Sequence, residues 1–327
     1  MLTSSKAAAH TAPAADALAP LPRDFVRAVF LSLPVDARLR CTEVCRSWRA
    51  FLDDASLFAR LNLSTTSGIR TFGAPLFRAA VAKAGGRLAS LDLTGRAVWR
   101  DRLTTLTVLV FEALRAAAAD NAATLEELRL HDSAFSVNFD QVSALLRACP
   151  NLRVLEVDLR SDNVAAARRM LRTEPPFGPL RVRDLNLGCF EDDAGNALAE
   201  FLFDVSRHAS LISLSLFRTP LGSVFAMNAL VDTATGLNLR DLSLDDCGLV
   251  PACLPPLTRL VAAGFLRQLF LNGPGELFAD EELVRLFVDA VRASALTNLR
   301  VRSHSAHLNE AMAFINDRAS LAGITAM

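Results

Sequence analysis

Aliphatic residues recur along most of this chain in one short frame, apolar–x–x–apolar–x–apolar. It reads Leu88-Leu91-Leu93, Leu125-Leu128-Leu130, Leu152-Leu155-Val157 and Val182-Leu185-Leu187. It continues as Leu211-Leu214-Leu216, Leu239-Leu242-Leu244, Leu266-Leu269-Leu271 and Leu296-Leu299-Val301. The last two apolar positions of each frame alternate with polar ones, which is the period of a strand with one dry face. Successive frames are 27 to 30 residues apart, with a first step of 37. Phe58-Leu61-Leu63 lies 30 residues before the first frame and fits it. The stretches between frames, such as Phe139 to Ala148, Asn196 to His208 and Asp280 to Ala293, carry apolar positions at helical spacing. Asp280, Glu281 and Glu282 put negative charge where it suits a helix N-terminus. One strand plus one helix cannot bury its apolar side alone. Stacked copies can.

Leu21 to Leu63 has a different pattern. Pro22 opens a helix that runs to Leu33. Phe25, Val29 and Leu33 form one stripe, and Val26 with Phe30 forms a second about 100° away. A helix packed on a single core needs one stripe, so the second predicts another apolar contact. Pro34 breaks the helix. Asp36 is placed to cap a second helix carrying Leu39 and Cys41, and Val44, Trp48 and Leu52 are expected on one face of a third. A module of about forty residues buries too little surface to stand alone and must lean on a neighbour.

This second stretch resembles the F-box. The resemblance rests on Leu21-Pro22, on Leu33-Pro34 between the first two helices, and on Val44-Cys45-Arg46-Ser47-Trp48-Arg49. Leu57-Phe58 stands where that family usually has Leu-Trp, and Asp24-Phe25-Val26 where it usually has an acidic residue and two aliphatics. The periodic part is similar to leucine-rich repeats in their long, helix-bearing form. Leu242 to Leu249 fits the longer version of that repeat, with Cys247 facing the loop backbone. The expected fold is α/β: a three-helix F-box over 20–63, then a curved leucine-rich-repeat solenoid of about eight repeats over 64–327. Parallel strands would line its concave face and helices its convex face. With strands about 4.8 Å apart, eight units span an arc on the order of 35 Å. Residues 1–19 read as a disordered lead. Trp99 lies in an insertion near Arg96 to Leu103, either packed under its own loop or serving as a partner anchor. His307 to Ala319, with Leu321 and Ile324, reads as a C-terminal cap.

Composition narrows the function. The formal net charge is zero, and no basic stripe suggests nucleic acid or an anionic membrane. The longest apolar runs are too short to span a bilayer. Six scattered cysteines with no CxxC pair read as small buried hydrophobes in a reducing compartment rather than a metal or disulfide framework. No nucleophile, phosphate-loop or zinc motif is present, and His304 and His307 read as exposed loop residues. The expectation is a non-catalytic chain with no cofactor and no metal, working in the cytoplasm or nucleus.

The polar positions between the leucines should line the groove. Asp92, Glu127, Glu156, Asp158, Asp184, Asp241 and Asp245 make the first six units acidic, against Arg129, and Arg300 with Arg302 makes the last one basic. Phe217 and Phe270 stand among them as exposed aromatics, either partner anchors or stray rings on a solvated face. The resemblance implies a substrate receptor of a cullin–RING ubiquitin ligase. Leu21, Pro22, Leu33, Pro34, Val44 and Trp48 would form or support the surface for a Skp-type adaptor, which brings the cullin and RING protein. The substrate-binding residues would be Asp92, Glu127, Glu156, Asp158, Asp184, Phe217, Asp241, Asp245, Phe270 and Arg300, holding a basic or mixed-charge segment of a protein. The alternative is a repeat scaffold or inhibitor with no ubiquitin role. A hormone co-receptor would need more repeats and a basic pocket.

Overall fold

The structure, a computed structural model, describes residues 20–63, 74–94, 106–130, 136–137, 139–159, 181–189, 210–273 and 276–302. The N-terminal lead, the Trp99 segment, the helix expected over Asn196 to His208, both loop histidines and the C-terminal cap lie outside these residues.

Three helices come first: α1 (Arg23–Ser32), α2 (Val35–Cys41) and α3 (Arg46–Leu52). Pro22 is the N-cap residue of α1, and the chain extends through Leu33 and Pro34 into α2. Asp36 does not cap α2. Pro34 holds that position, and Asp36 instead pairs one turn on with Arg40 at 3.4 Å. Val44 does not share a helix face with Trp48 and Leu52 either, because α3 begins only at Arg46. A short 3-10 turn, Ala55–Leu57, then leads into the sheet, with Asp54 accepting from the Ser56 amide at 3.0 Å.

The sheet has ten described strands: β1 (Arg60–Asn62), β2 (Ser90–Asp92), β3 (Glu127–Arg129), β4 (Ser136–Val137), β5 (Val154–Leu159), β6 (Asp184–Cys189), β7 (Ser213–Phe217), β8 (Asp241–Asp245), β9 (Gln268–Asn272) and β10 (Asn298–Arg302). All pairings among them are parallel and follow chain order, with β4 as a side branch on β5. Each strand except β4 sits on a frame read in the sequence, and β1 belongs to Phe58-Leu61-Leu63. The described helices that follow strands are α4 (Ala74–Ala84), α5 (Leu106–Asp120), α6 (Phe139–Ala148), α7 (Val224–Leu237), α8 (Leu254–Ala262) and α9 (Glu281–Ala293). Helices are about 10 Å wide and strands about 4.8 Å apart, so layering one on the other bends the stack toward the strand side. This is the architecture of a leucine-rich-repeat solenoid behind F-box-like helices. No helix among the described residues is long and apolar enough to cross a membrane.

One core runs the whole length. Val26, Phe30, Val35 and Leu52 of the helices join Leu57, Phe58 and Leu61, and the same cluster continues through every frame to Val301. Each dry leucine stabilises by roughly 1.5–3 kcal/mol, so the spine outweighs any single polar contact. Polar groups tie the joints. Asn121 is buried; its Oδ1 accepts from the Leu88 amide at 2.8 Å and its Nδ2 donates to Ala117 O at 2.8 Å. Ser223 and Asp280 cap α7 and α9, and Asn238 ends α7 in the left-handed conformation.

The helices are fastened to the sheet, not tethered to it. Buried Arg38 donates to Leu57 O, and its guanidinium lies 5.6 Å from the Phe58 ring centroid. Burial pushes its pKa down. Arg27 reaches Ser56 at 2.8 Å and Asp54 at 3.3 Å, and Lys83 of α4 pairs with Asp53. Phe58→Ala should cost about 3–5 kcal/mol. In a Trp99→Phe background, Trp48 fluorescence reports the helices and far-ultraviolet circular dichroism reports mainly the repeats. Their melting midpoints should fall together, and two separated transitions would refute a shared core.

Candidate functional site

Nine large apolar side chains are exposed among the described residues. Four lie on the helical module: Leu21, Phe25 at 56%, Leu31 at 47% and Val44 at 62%. Single exposed leucines are ordinary, and four large apolar side chains on a module of about forty residues are a dense set. The two stripes of α1 resolve cleanly. Val26 and Phe30 are buried, while Phe25 is outward with Val29 and Leu33 half-covered.

The six residues read as adaptor-facing divide accordingly. Leu21, Pro22 and Val44 are exposed, and Leu33 and Pro34 are half-buried. Trp48 belongs mainly to the interior. Its ring meets Phe30 edge-on at 5.5 Å, and Phe51 packs on the same Phe30 at 5.4 Å. Trp48 therefore shapes the module rather than presenting a free face. Leu31 escaped the sequence reading because it falls on neither stripe.

The open face of the sheet is the second surface. Its residues line up in rows one strand apart, as the parallel register requires. One row runs Ser90, Glu127, Val154, Asp184, Ser213, Asp241, Gln268, Asn298. The next runs Asp92, Arg129, Glu156, Asn186, Ser215, Ser243, Phe270, Arg300. A third holds Asp158, Gly188, Phe217, Asp245 and Asn272. All ten residues read as substrate-binding lie in these rows.

Two expectations about this face need correction. The acidic excess is partly neutralised from within, because Arg129 reaches Glu127 at 3.4 Å and Glu156 at 3.2 Å. Asp92 accepts from the Thr94 amide and hydroxyl at 2.9 and 2.7 Å, and Asp245 accepts from Asn272 at 2.7 Å. Nor are the aromatics exposed. Phe217 and Phe270 are half-buried, with Arg218 at 4.8 Å from the first ring centroid and Arg300 at 5.5 Å from the second. An arginine over a ring both covers it and offsets its own charge with the ring's negative face. Sequence reading counted charges but could not see which neighbours cancel.

Asp184 and Asp241 stand two strands apart in one row, and no ion pair to either is present among the described residues. Partial burial pushes both carboxyls up, and Asp184 raises Asp241 further, against the lowering pull of Arg183, Arg129 and Arg240. Three cysteines are buried in the core, Cys149, Cys247 and Cys253. Burial pushes the Cys149 thiol up to about 11 and Cys247 to about 12. Each serves structure: Cys149 donates to Ala118 O, Cys247 to Leu216 O and Cys253 to Leu221 O. Among the described residues no cluster of His, Cys, Asp and Glu could hold a metal ion.

The helical module has a counterpart among known proteins. Residues 18–64 match the F-box-like family, which spans all three helices, the 3-10 turn and β1. The search of curated proteins found no match. Among solved structures, the complex of Rad7 and Elc1 in yeast is similar, at 15% identity and a TM-score of 0.42, covering 90% of this chain and 84% of that one.

Three outcomes follow for stability. Trp48→Ala should cost about 2–3 kcal/mol, at or below the usual range for a buried ring because part of this one is wet. Phe25→Ser should cost under about 0.5 kcal/mol, because its ring packs on little. Urea titration separates them. Asp241→Asn should raise the melting temperature at neutral pH. The native carboxyl pKa lies above the unfolded value, so its ionised form opposes folding above that pKa. The gain should shrink as pH falls through the raised native pKa and vanish below the unfolded carboxylate value. A pH-independent gain would show that Asp241 carries no such penalty.

Proposed function

We propose that this chain is the substrate-recognition subunit of an SCF-type ubiquitin ligase. In this reading residues 20–63 dock on a Skp-type adaptor, which links the chain to a cullin and a RING protein. Residues 64–327 hold a protein substrate. The observation that carries the reading is the set of outward apolar side chains, Leu21, Phe25, Leu31 and Val44, on a module that matches the F-box-like family. The chain does no chemistry here. It raises the effective concentration of a substrate lysine near the conjugating enzyme and fixes its orientation. The shared core supports that role, because an adaptor bound to the helices is positioned rigidly against whatever the repeats hold. Cys41, Cys45, Cys149, Cys247 and Cys253 are free thiols, the state a reducing compartment keeps.

Co-expression with a Skp-type adaptor tests the reading. Wild-type chain should co-purify with it in equal amounts. Phe25→Ser with Val44→Ser should abolish capture while leaving the fold intact by circular dichroism. A wild-type chain that captures no adaptor would sink the proposal and favour a repeat scaffold or inhibitor without a ubiquitin role.

A further inference from the structure

The other exposed apolar side chains lie far along the chain, and three share one edge of the sheet. Val224 and Phe225 open α7, and Val250 ends the loop after β8. Phe225 is 68% exposed, more than any other large apolar side chain described. Val224 and Val250 are 44% and 38% exposed.

The loops that carry them are locked side by side. Leu221 N donates to Cys247 O at 3.0 Å, and Arg218 N to Asp245 O at 2.8 Å. A side chain at Gly222 would meet Gly248 O at 2.8 Å, so glycine permits the close approach, and Val250 Cγ1 stands 4.0 Å from the same point. One residue past three successive strands the backbone turns left-handed: Arg218, Asp246 and Gly273, with φ of 48°, 52° and 60°. Asp246 N and Gly273 N extend the ladder onto Asn272 O and Arg302 O. The Asp246 carboxylate leans over Gly273, where a β-carbon would collide with its Oδ1. The edge is thus a preformed rim, continuous with the third row of the open face.

Its charge is acidic. Asp246, Glu276 and Glu282 are exposed, and no ion pair to any of them occurs among the described residues. Asp280 is committed to capping α9, and Glu281 pairs with Arg285 at 3.8 Å. The facing cations are Arg218, stacked on Phe217, and Arg302 at the far strand.

We propose that this rim, Val224, Phe225 and Val250 flanked by Asp246, Glu276 and Glu282, docks a protein segment that presents large apolar side chains next to lysine or arginine. The identification of that segment with a ligase substrate rests on the function proposed above. The docking surface itself does not. An apolar anchor on an edge that also carries unpaired carboxylates selects a basic partner, because opposite charge speeds encounter and like charge repels competitors. The open face is the less favourable anchor, since Phe217 and Phe270 already lie under arginines.

The test is a phage-displayed library of random peptides of about twelve residues, panned on the full-length chain. Enriched peptides should combine a large apolar residue with flanking Lys or Arg. Against a synthesised enriched peptide, Phe225→Ala with Val250→Ala should weaken binding about tenfold or more, as for an anchor residue. Asp246→Asn keeps the left-handed turn, and with Glu276→Gln it should weaken binding and flatten its salt dependence. Phe270→Ala should change little. No enrichment, acidic peptides, loss on Phe270→Ala alone, or a chain dimer abolished by the Phe225 and Val250 substitutions would each overturn the proposal. Adaptor capture, measured on the same variants, should be unaffected. A chain that binds the peptide at the rim but no adaptor would keep this inference and remove the ligase reading.

Discussion

The structure depends on one unbroken column of leucines. Leu61, Leu91, Leu128, Leu155, Leu185, Leu214, Leu242, Leu269 and Leu299 are register partners from strand to strand. All are buried. Because side chains alternate along a strand, a slip of one residue at any step would turn dry leucines to water and bring Asp and Ser into the core. The column therefore holds the register, and the register decides which residues stand beside each other on the opposite face. Arg129 finds Glu156 there because Leu128 finds Leu155 beneath. A solenoid built this way needs both ends of its core covered. At the N-terminal end the cover is the helical module, with Phe30, Leu52 and Phe58 continuing the column.

That continuity separates the surfaces. Where the chain packs against itself, several polar pairs tie the joint: Arg27 with Ser56, Lys83 with Asp53, Asn121 with the Leu88 amide. On the open face arginines cover aromatics and offset acids. Large apolar side chains remain uncovered chiefly at two places, the module's outer side and the rim beyond β7 and β8. Uncovered apolar surface does not stabilise the isolated chain, so these two places contribute little to its folding.

Much of this was legible in the linear chain. The frames placed the strands, because alternation over a dry face is a local property that each leucine reports. The helix stretches Phe139 to Ala148 and Asp280 to Ala293 matched α6 and α9 with its cap, and the second stripe on α1 called for a further apolar contact, within the chain or with a partner. What failed was of two kinds, helix ends set two residues away and groove contacts between residues remote in sequence. Asp36 reads as a cap, yet Pro34 already holds the position. Val44 reads as a helix face, yet the helix starts after it. The acidic groove and its bare aromatics came from counting residues along each strand.

The periodic leucines alone determined the strand positions, the face each turns inward and the α/β class, since burial of a repeated pattern has few solutions. Tertiary structure alone decided what the outward residues do. Phe217 and Phe270 became covered rings and Phe225 a bare one, although all three are phenylalanines beside polar or apolar neighbours in sequence. The difference lies in what the adjoining residues and the next repeat, 27 to 30 residues away, place over each ring. Electrostatic pairing and shielding depend on distance in space, and spacing along the chain carries that information only after the register has brought the repeats together.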